Sequence, residues 1–278
     1  MISRILTSAI LALMKAQVSE ASAPAQAEKP QIESGFNLLY ELKFGDARRQ
    51  FIEWQQANPT DPMGYEATAA SYLFEELYDQ NVLTSEFFLD DKRLLGGIQG
   101  KPNESRKTGF NAANRKGRDI ALKRLSEAPR DTNALFSLSI AAGMQADFAA
   151  ILERRQMESL SYIKEAEGYA KRLLALQPDN ADAWLSLGAA NYIIGSLPAY
   201  KRFFLWFGGM HGDKTLGMEQ LQITAEKGHY LKPFAEIFLA LAAMREKRED
   251  IARNQLINLT AHYPENPLFR RELARLRR

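Results

Sequence analysis

The sequence predicts an all-α protein, built as a right-handed α-solenoid of helix–turn–helix repeats with two long insertions inside repeats. Two observations support this fold class. Helical stretches end repeatedly at a proline that opens a polar turn, at Pro59, Pro129, Pro178 and Pro264. Small or apolar residues precede three of these prolines by five, eight and twelve positions. Such offsets fall on one face of an α-helix, so each stretch is expected to bury that face.

The composition excludes several classes of function. Cysteine is absent, which excludes a disulfide framework, a thiolate metal site and a lipid-modified N-terminal cysteine. The three histidines are far apart in the sequence and no HExxH motif occurs, so we expect no metal site and no cofactor. Lys and Arg number 36 against 34 Asp and Glu, a balance that gives no reason to expect nucleic acid as a partner.

Residues 1–27 have the order of a secretory signal peptide. Arg4 provides a positive charge, Ile5 to Met14 form a mostly apolar run, and Ala25-Gln26-Ala27 offers a cleavage site flanked by small residues. The apolar run is too short to span about 30 Å of hydrocarbon. We therefore expect a periplasmic or secreted mature chain. Lys15, just after the run, leaves open an amphipathic leader on a cytoplasmic protein.

The repeat positions follow from their spacing around the prolines. After Pro178, the residues Trp184, Leu187 and Gly188 share a helix face, and the small Gly188 would let a neighbouring helix approach closely. The positions that define the predicted repeats are Ala47, Phe51, Pro59, Ala166, Pro178, Trp184, Leu187, Gly188, Ala252 and Pro264.

The segment EAEGYAKRLLALQPDNADAWLSLG resembles the tetratricopeptide repeat, a helix–turn–helix unit of about 34 residues. The resemblance divides the chain into units 28–61, 62–131, 132–180, 181–232 and 233–266, with a capping helix at 267–278. The fourth unit matches least, because no proline closes it. The strings GGMHGDKTLGMEQLQ and YPENPLF are also similar, locally, to the inclusion-body-clearance tetratricopeptide family, which supplies no catalytic residues to carry over.

Two insertions, 78–105 and 195–212, fall between the first and second helices of their units. The second helix of the 132–180 unit is expected to run unbroken from about Ala146 to Leu176. In a stacked array the first turns of all units emerge along one edge, so both insertions should project from the same side. We expect them to pack together as a lid that buries Phe87, Phe88, Phe203 and Trp206.

Three segments could carry chemistry. The pair Asp90-Asp91 could hold a cation or act as acid and base, although a short capped helix is the preferred interpretation. The glycine-rich segment 208–217 does not meet the P-loop pattern, so Asp213 is expected to cap a helix there. The aromatic run 200–207 is interpreted as a short buried helix that plugs the concave side. Contact with a protein or a membrane is the alternative for that run.

These features predict a non-catalytic scaffold or adaptor of the bacterial cell envelope, which binds a protein or peptide in its concave groove and uses no nucleic acid. One alternative is an enzyme whose site combines the two insertions, with Asp90, Asp91, His211 and Asp213 converging. Another is a membrane or lipid adaptor that makes peripheral contact through 200–207. The residues expected to contact the partner are Asp91, Lys92, Tyr200, Trp206, His211 and Asp213. The arginine-rich C-terminus is expected to be a solvated capping helix.

Overall fold

A computed structural model describes residues 31–207 and 209–276, and α-helices follow one another through this part of the chain. The predicted signal peptide lies outside the described residues. The first seven helices are α1 (Ile32–Tyr40), α2 (Phe44–Ala57), α3 (Pro62–Asp79), α4 (Ser85–Leu89), α5 (Asp91–Gly96), α6 (Glu104–Glu127) and α7 (Thr132–Asp147). The next seven are α8 (Gln156–Leu176), α9 (Trp184–Ser196), α10 (Ala199–Phe207), α11 (Lys214–Lys227), α12 (Lys232–Arg245), α13 (Glu249–His262) and α14 (Pro267–Arg275).

The longer helices pack in sequence as antiparallel neighbours. Contacts join α1 to α2, α2 to α3, α3 to α6, α6 to α7 and α7 to α8, and then α9 to α11, α11 to α12 and α12 to α13. The short helices α4, α5 and α10 lie within the two predicted insertions. The all-α prediction is therefore confirmed, with sequential helix–helix packing.

Four of the turns between consecutive helix pairs share one construction. Each has a proline in its second position, and the Asp or Asn two residues after the proline donates its backbone N–H to the carbonyl of the residue before the proline. The four bonds are Asp61 to Asn58, Asp131 to Ala128, Asn180 to Gln177 and Asn266 to Tyr263. The same Asp or Asn side chain then caps the next helix. The four prolines on which the repeat prediction rests therefore lie in turns between helices.

The boundary before α12 lacks a proline and is held by a residue from another turn. Both carboxylate oxygens of Asp182, which is buried, accept hydrogen bonds from the backbone N–H groups of His229, Tyr230 and Leu231, at 2.9–3.1 Å. Burial raises the pKa of Asp182, and the three N–H groups oppose that rise. One carboxylate therefore replaces the local cap that the fourth unit lacks.

The turns inside the helix pairs repeat a different motif. Leu42, Asn81 and Lys247 have positive φ angles of 64°, 56° and 59°. After each of them the next backbone N–H binds the carbonyl five residues earlier, which is the Schellman arrangement at a helix C-terminus. Gly209, with φ 73°, makes the same turn after α10. A recurrent left-handed residue therefore reverses the chain inside these units.

The predicted unbroken helix from Ala146 to Leu176 is wrong. The residues Phe148–Leu152 form a π-helical turn, and Arg154 then adopts a positive φ of 58° before α8 begins. Two contacts explain the break. Phe148 stacks on Phe110 of α6 with ring centroids 4.6 Å apart, and the carbonyl of Ile151 accepts the backbone N–H of Ile98 at 3.0 Å. The π turn shifts the register so that both contacts form. Beyond it, Met157 of α8 is 76% exposed.

The repeat positions that were predicted to face the interior are mostly buried. Seven of the ten positions can be compared by burial: Ala47, Phe51, Ala166, Leu187, Gly188 and Ala252 are buried, whereas Trp184 is half-exposed. Trp184 opens α9 next to a 3-10 turn, so one side of its ring stays at the surface. The three prolines lie in exposed turns.

The first and last parts of the array are in contact. Tyr40 at the end of α1 donates its hydroxyl to the carbonyl of Tyr230, and its own carbonyl accepts the side-chain amide of Asn266 at 2.7 Å. Its ring also contacts Tyr263, and Lys43 pairs with Glu265 at 2.7 Å. The helical array therefore closes on itself, a feature that the repeat pattern did not predict.

The centre of the closed array is filled by its own side chains. Phe36 of α1 and Phe136 of α7 both contact the ring of Tyr230, with centroids 5.4 and 6.4 Å apart. Phe74 of α3 meets Phe234 of α12 at 5.7 Å. On α9, Tyr192 packs on α12 and donates to its Ala242 carbonyl. The segment that begins α12 thus packs against α1, α3, α7 and α9.

Candidate interaction surface

The helix α10 presents an apolar face to solvent. Tyr200, Phe203, Phe204 and Trp206 are 63%, 57%, 71% and 56% exposed. The spacing of the first three places them on one side of the helix, while Leu205 on the other side is half-buried. The expectation that Phe203 and Trp206 would be buried is therefore wrong.

Glycines shape the chain on both sides of α10. After the helix, Gly209 takes a positive φ and Met210, which is buried, donates its N–H to the carbonyl of Leu205 at 3.0 Å. Before the helix, Gly195 lies so close to the backbone of Lys214 that a Cβ at this position would come within 2.8 Å of the Lys214 nitrogen. The end of α9 and the start of α11 therefore meet closely beside α10.

The charge around α10 is cationic. No acidic residue occurs from Ala183 to Gly212, whereas Lys201 and Arg202 lie on the helix itself. Arg202 is exposed and its guanidinium reaches the carbonyl of Gly195 at 3.5 Å. The surface therefore combines large aromatic side chains with positive charge.

The 78–105 insertion is clamped onto the C-terminal helices. Asp91 pairs with Arg245 at the end of α12 at 2.5 Å, and Glu86 pairs with Arg275 of α14 at 2.8 Å. Ser85 bonds Glu272, which is also on α14. Phe87 is buried and Phe88 is half-buried, as expected. The elements that cover them are not those of the second insertion.

The predicted polar contact residues are divided between these two regions. Asp90 caps α5 and Asp213 caps α11, as the sequence predicted. Lys92 is exposed beside Asp91, and His211 contacts the ring of Trp206. At the end of α12, Arg245 binds Asp91 of the first insertion, and the adjacent Glu246 binds Lys214, which follows the second insertion, at 2.7 Å. Asp90, Asp91, His211 and Asp213 therefore have separate structural partners, and the described residues contain no group of side chains arranged to hold a metal ion.

A polar cavity of about 340 Å³ lies between α6, the π turn and α8. Several of its charged residues are paired: Arg118 with Glu165 at 2.7 Å, Arg155 with Glu153 at 2.6 Å, and Glu158 accepts from Tyr162 at 3.1 Å. Arg115 and Asp119 also line the cavity.

A buried carboxyl lies behind this cavity. Glu66 is 1% exposed, one of its oxygens accepts the amide of Asn114 at 3.0 Å, and the other has no partner within the described residues. Burial raises the pKa of Glu66 well above its usual range, although Arg118 lies near enough to oppose the rise. Gly117 faces the carboxyl and leaves room for it.

We expect this carboxyl to make stability fall as the pH rises. The folded state keeps the proton of Glu66 at pH values where the unfolded state, with its ordinary pKa near 4.5, has lost it. The folded state therefore binds more protons, and the free energy of unfolding decreases upward from about pH 4.5, by at most about 1.4 kcal/mol per pH unit. Glu66→Gln should flatten this slope in urea melts between pH 5 and 8.

The exposed Glu127, on the same α6 that faces Glu66, provides the control. Glu127→Gln should leave the slope unchanged, because that carboxyl is exposed in the folded chain. A Glu66→Gln slope identical to that of the wild type would contradict the prediction. Asp147, whose pKa burial raises to about 7, contributes a slope of the same sign that both variants retain.

One helical stretch of the described residues, Thr132–Leu152, is long and apolar enough to cross a membrane by length and composition. It is mostly buried inside the array, as a core helix is. Comparison with protein-family models and with curated proteins gives no match for this chain. The aromatic run of α10 is evident in the sequence, but its exposure and the contact between the first and last parts of the array have no local signature in the sequence.

Proposed function

We propose that this chain is a tetratricopeptide-like right-handed α-solenoid that acts as a non-catalytic adaptor in the bacterial cell envelope. The repeated proline turns and the recurrent left-handed turns support the repeat assignment. The proposed location rests on the sequence of residues 1–27. The absence of cysteine and the separate structural roles of Asp91, His211 and Asp213 favour binding over catalysis.

The observation that carries the proposal is the exposed aromatic face of α10 on an array with a filled centre. Proteins rarely leave several large aromatic side chains of one helix in water, and such patches mark interaction sites. Aromatic side chains of α1, α3 and α7, by contrast, pack against Tyr230 and Phe234. The adaptor therefore binds through an outer surface, and the peptide-groove hypothesis is replaced by contact through α10.

Site-specific photocrosslinking tests this function. A photoreactive phenylalanine analogue in place of Phe204 should give a covalent adduct after illumination of intact envelopes. The same analogue in place of Met157, which is 76% exposed on α8, is the matched control and should give none. Equal labelling at both positions, or no adduct at position 204, would show that α10 is not the binding surface.

A further inference from the structure

The outward face of α10 has the composition of a membrane-interface helix. Tyr and Trp side chains combine an apolar ring with a polar group, and they concentrate where hydrocarbon meets water. Tyr200 and Trp206 are of this kind, and Phe203 and Phe204 supply purely apolar surface between them. At about 1.5 Å per residue, a helix of nine residues lies flat over about 13 Å, which suits the interface and is too short to span a bilayer.

The charge of this region selects the kind of membrane. An anionic lipid surface attracts basic residues next to an apolar face and repels acidic ones. Arg202 is exposed on α10, and the 183–212 segment contains no acid that would face the lipid. Binding to a protein would not require this stretch to be free of acidic residues, whereas binding to an anionic lipid would. Charge complementarity therefore favours lipid.

The folded chain already contains α10 as a helix. The Gly209 turn and the bond from Met210 to Leu205 end this helix. Phe203 and Phe204 contact each other edge to face, with ring centroids 6.0 Å apart. Binding therefore requires little ordering of the helix itself.

We propose that α10 docks in the interface of an anionic membrane leaflet. In this arrangement the level of the phosphates lies above four aromatic side chains, those of Tyr200, Phe203, Phe204 and Trp206. The guanidinium of Arg202 lies among the phosphates. This inference rests on the proposed function, because it identifies what the α10 surface binds.

Vesicle co-sedimentation of the full chain tests the proposal. Vesicles that contain phosphatidylglycerol should bind the protein more strongly than vesicles of phosphatidylcholine alone. The double variant Phe203→Ser, Phe204→Ser should lower the partition coefficient on anionic vesicles by at least about tenfold, because it removes two large apolar groups. Arg202→Glu should also weaken binding to anionic vesicles, and added salt should reduce the difference between Arg202→Glu and the wild type. Met157→Ser, at an exposed apolar position away from α10, should bind as the wild type does.

A second measurement distinguishes membrane binding by α10 from membrane binding by the apolar N-terminal segment, which is present in every variant. Brominated lipids quench tryptophans that reach the acyl chains, so quenching should be strong in the wild type and weak in Trp206→Phe. Circular dichroism should give the same melting curve for all variants, since the substituted side chains are exposed. Wild-type partitioning by the double variant, or equal quenching in Trp206→Phe, would overturn the lipid assignment.

The two experiments also separate the two proposals. A protein adduct at position 204 without vesicle binding would overturn the lipid inference and leave the adaptor function standing. The absence of both an adduct and vesicle binding would overturn both.

Discussion

Asp182→Ala is expected to lower the free energy of unfolding by about 3–5 kcal/mol, because three backbone N–H groups would lose their acceptor. Those groups belong to His229, Tyr230 and Leu231, and they lead directly into α12. The helix has no side-chain cap of its own, so no local group replaces the carboxylate. Urea melts of the wild type and the variant measure the difference.

Two further substitutions make the Asp182 measurement specific. Asp182→Asn keeps the oxygen that accepts from two of the three N–H groups, so the loss should be roughly half as large. Asp179→Ala removes an exposed carboxylate from the same turn and should change stability by less than about 0.5 kcal/mol. A loss below about 1 kcal/mol in Asp182→Ala would mean that water or a rearranged turn satisfies the three N–H groups.

Gly217→Ala should destabilise the protein by about 2–3 kcal/mol, although alanine is the better helix former. A Cβ on Gly217 would lie 2.6 Å from the backbone nitrogen of Tyr192 and 2.9 Å from the carbonyl oxygen of Gly188. Both atoms belong to the backbone of α9 and cannot move aside as a flexible side chain can. The helices α9 and α11 would have to separate. Thermal and urea melts both report the change.

The control for Gly217 is a glycine with open space around it. Gly168 is exposed on α8, and a Cβ there would meet nothing within 4 Å. Gly168→Ala should therefore stabilise the protein by about 0.5–1 kcal/mol through helix propensity alone. If both substitutions stabilised the protein, the close approach of α9 and α11 would be wrong.

Local features of the fold could be predicted from the sequence, because local chemistry determines them. Proline fixes its own φ angle and the following Asp or Asn caps a helix, so Pro59 and Pro178 mark turns wherever the rest of the chain lies. Asp90 and Asp213 are identified as caps for the same reason. The small Gly188 similarly indicates the close helix contact that its neighbour Gly217 completes.

Features that depend on distant partners could not be predicted. The break at Arg154 arises because Phe148 and Ile151 meet residues of α6 and of the first insertion, which periodicity within α8 does not reveal. The exposure of Phe203 and Trp206 could not be predicted either. An aromatic run looks buried by composition, but burial requires a partner element that the local sequence does not specify.

The closure of the array determines the order in which the protein can finish folding. The hydrogen bond between Asn266 and Tyr40 joins residues separated by 226 positions, whereas the contacts inside each helix pair are local. During synthesis the early helix pairs can form as they leave the ribosome, but Tyr40 receives its last partners only after α13 is complete. Until then the apolar side of α1 lacks its cover and is open to wrong contacts. The helices that are synthesised last therefore cover the apolar side of the helix that is synthesised first.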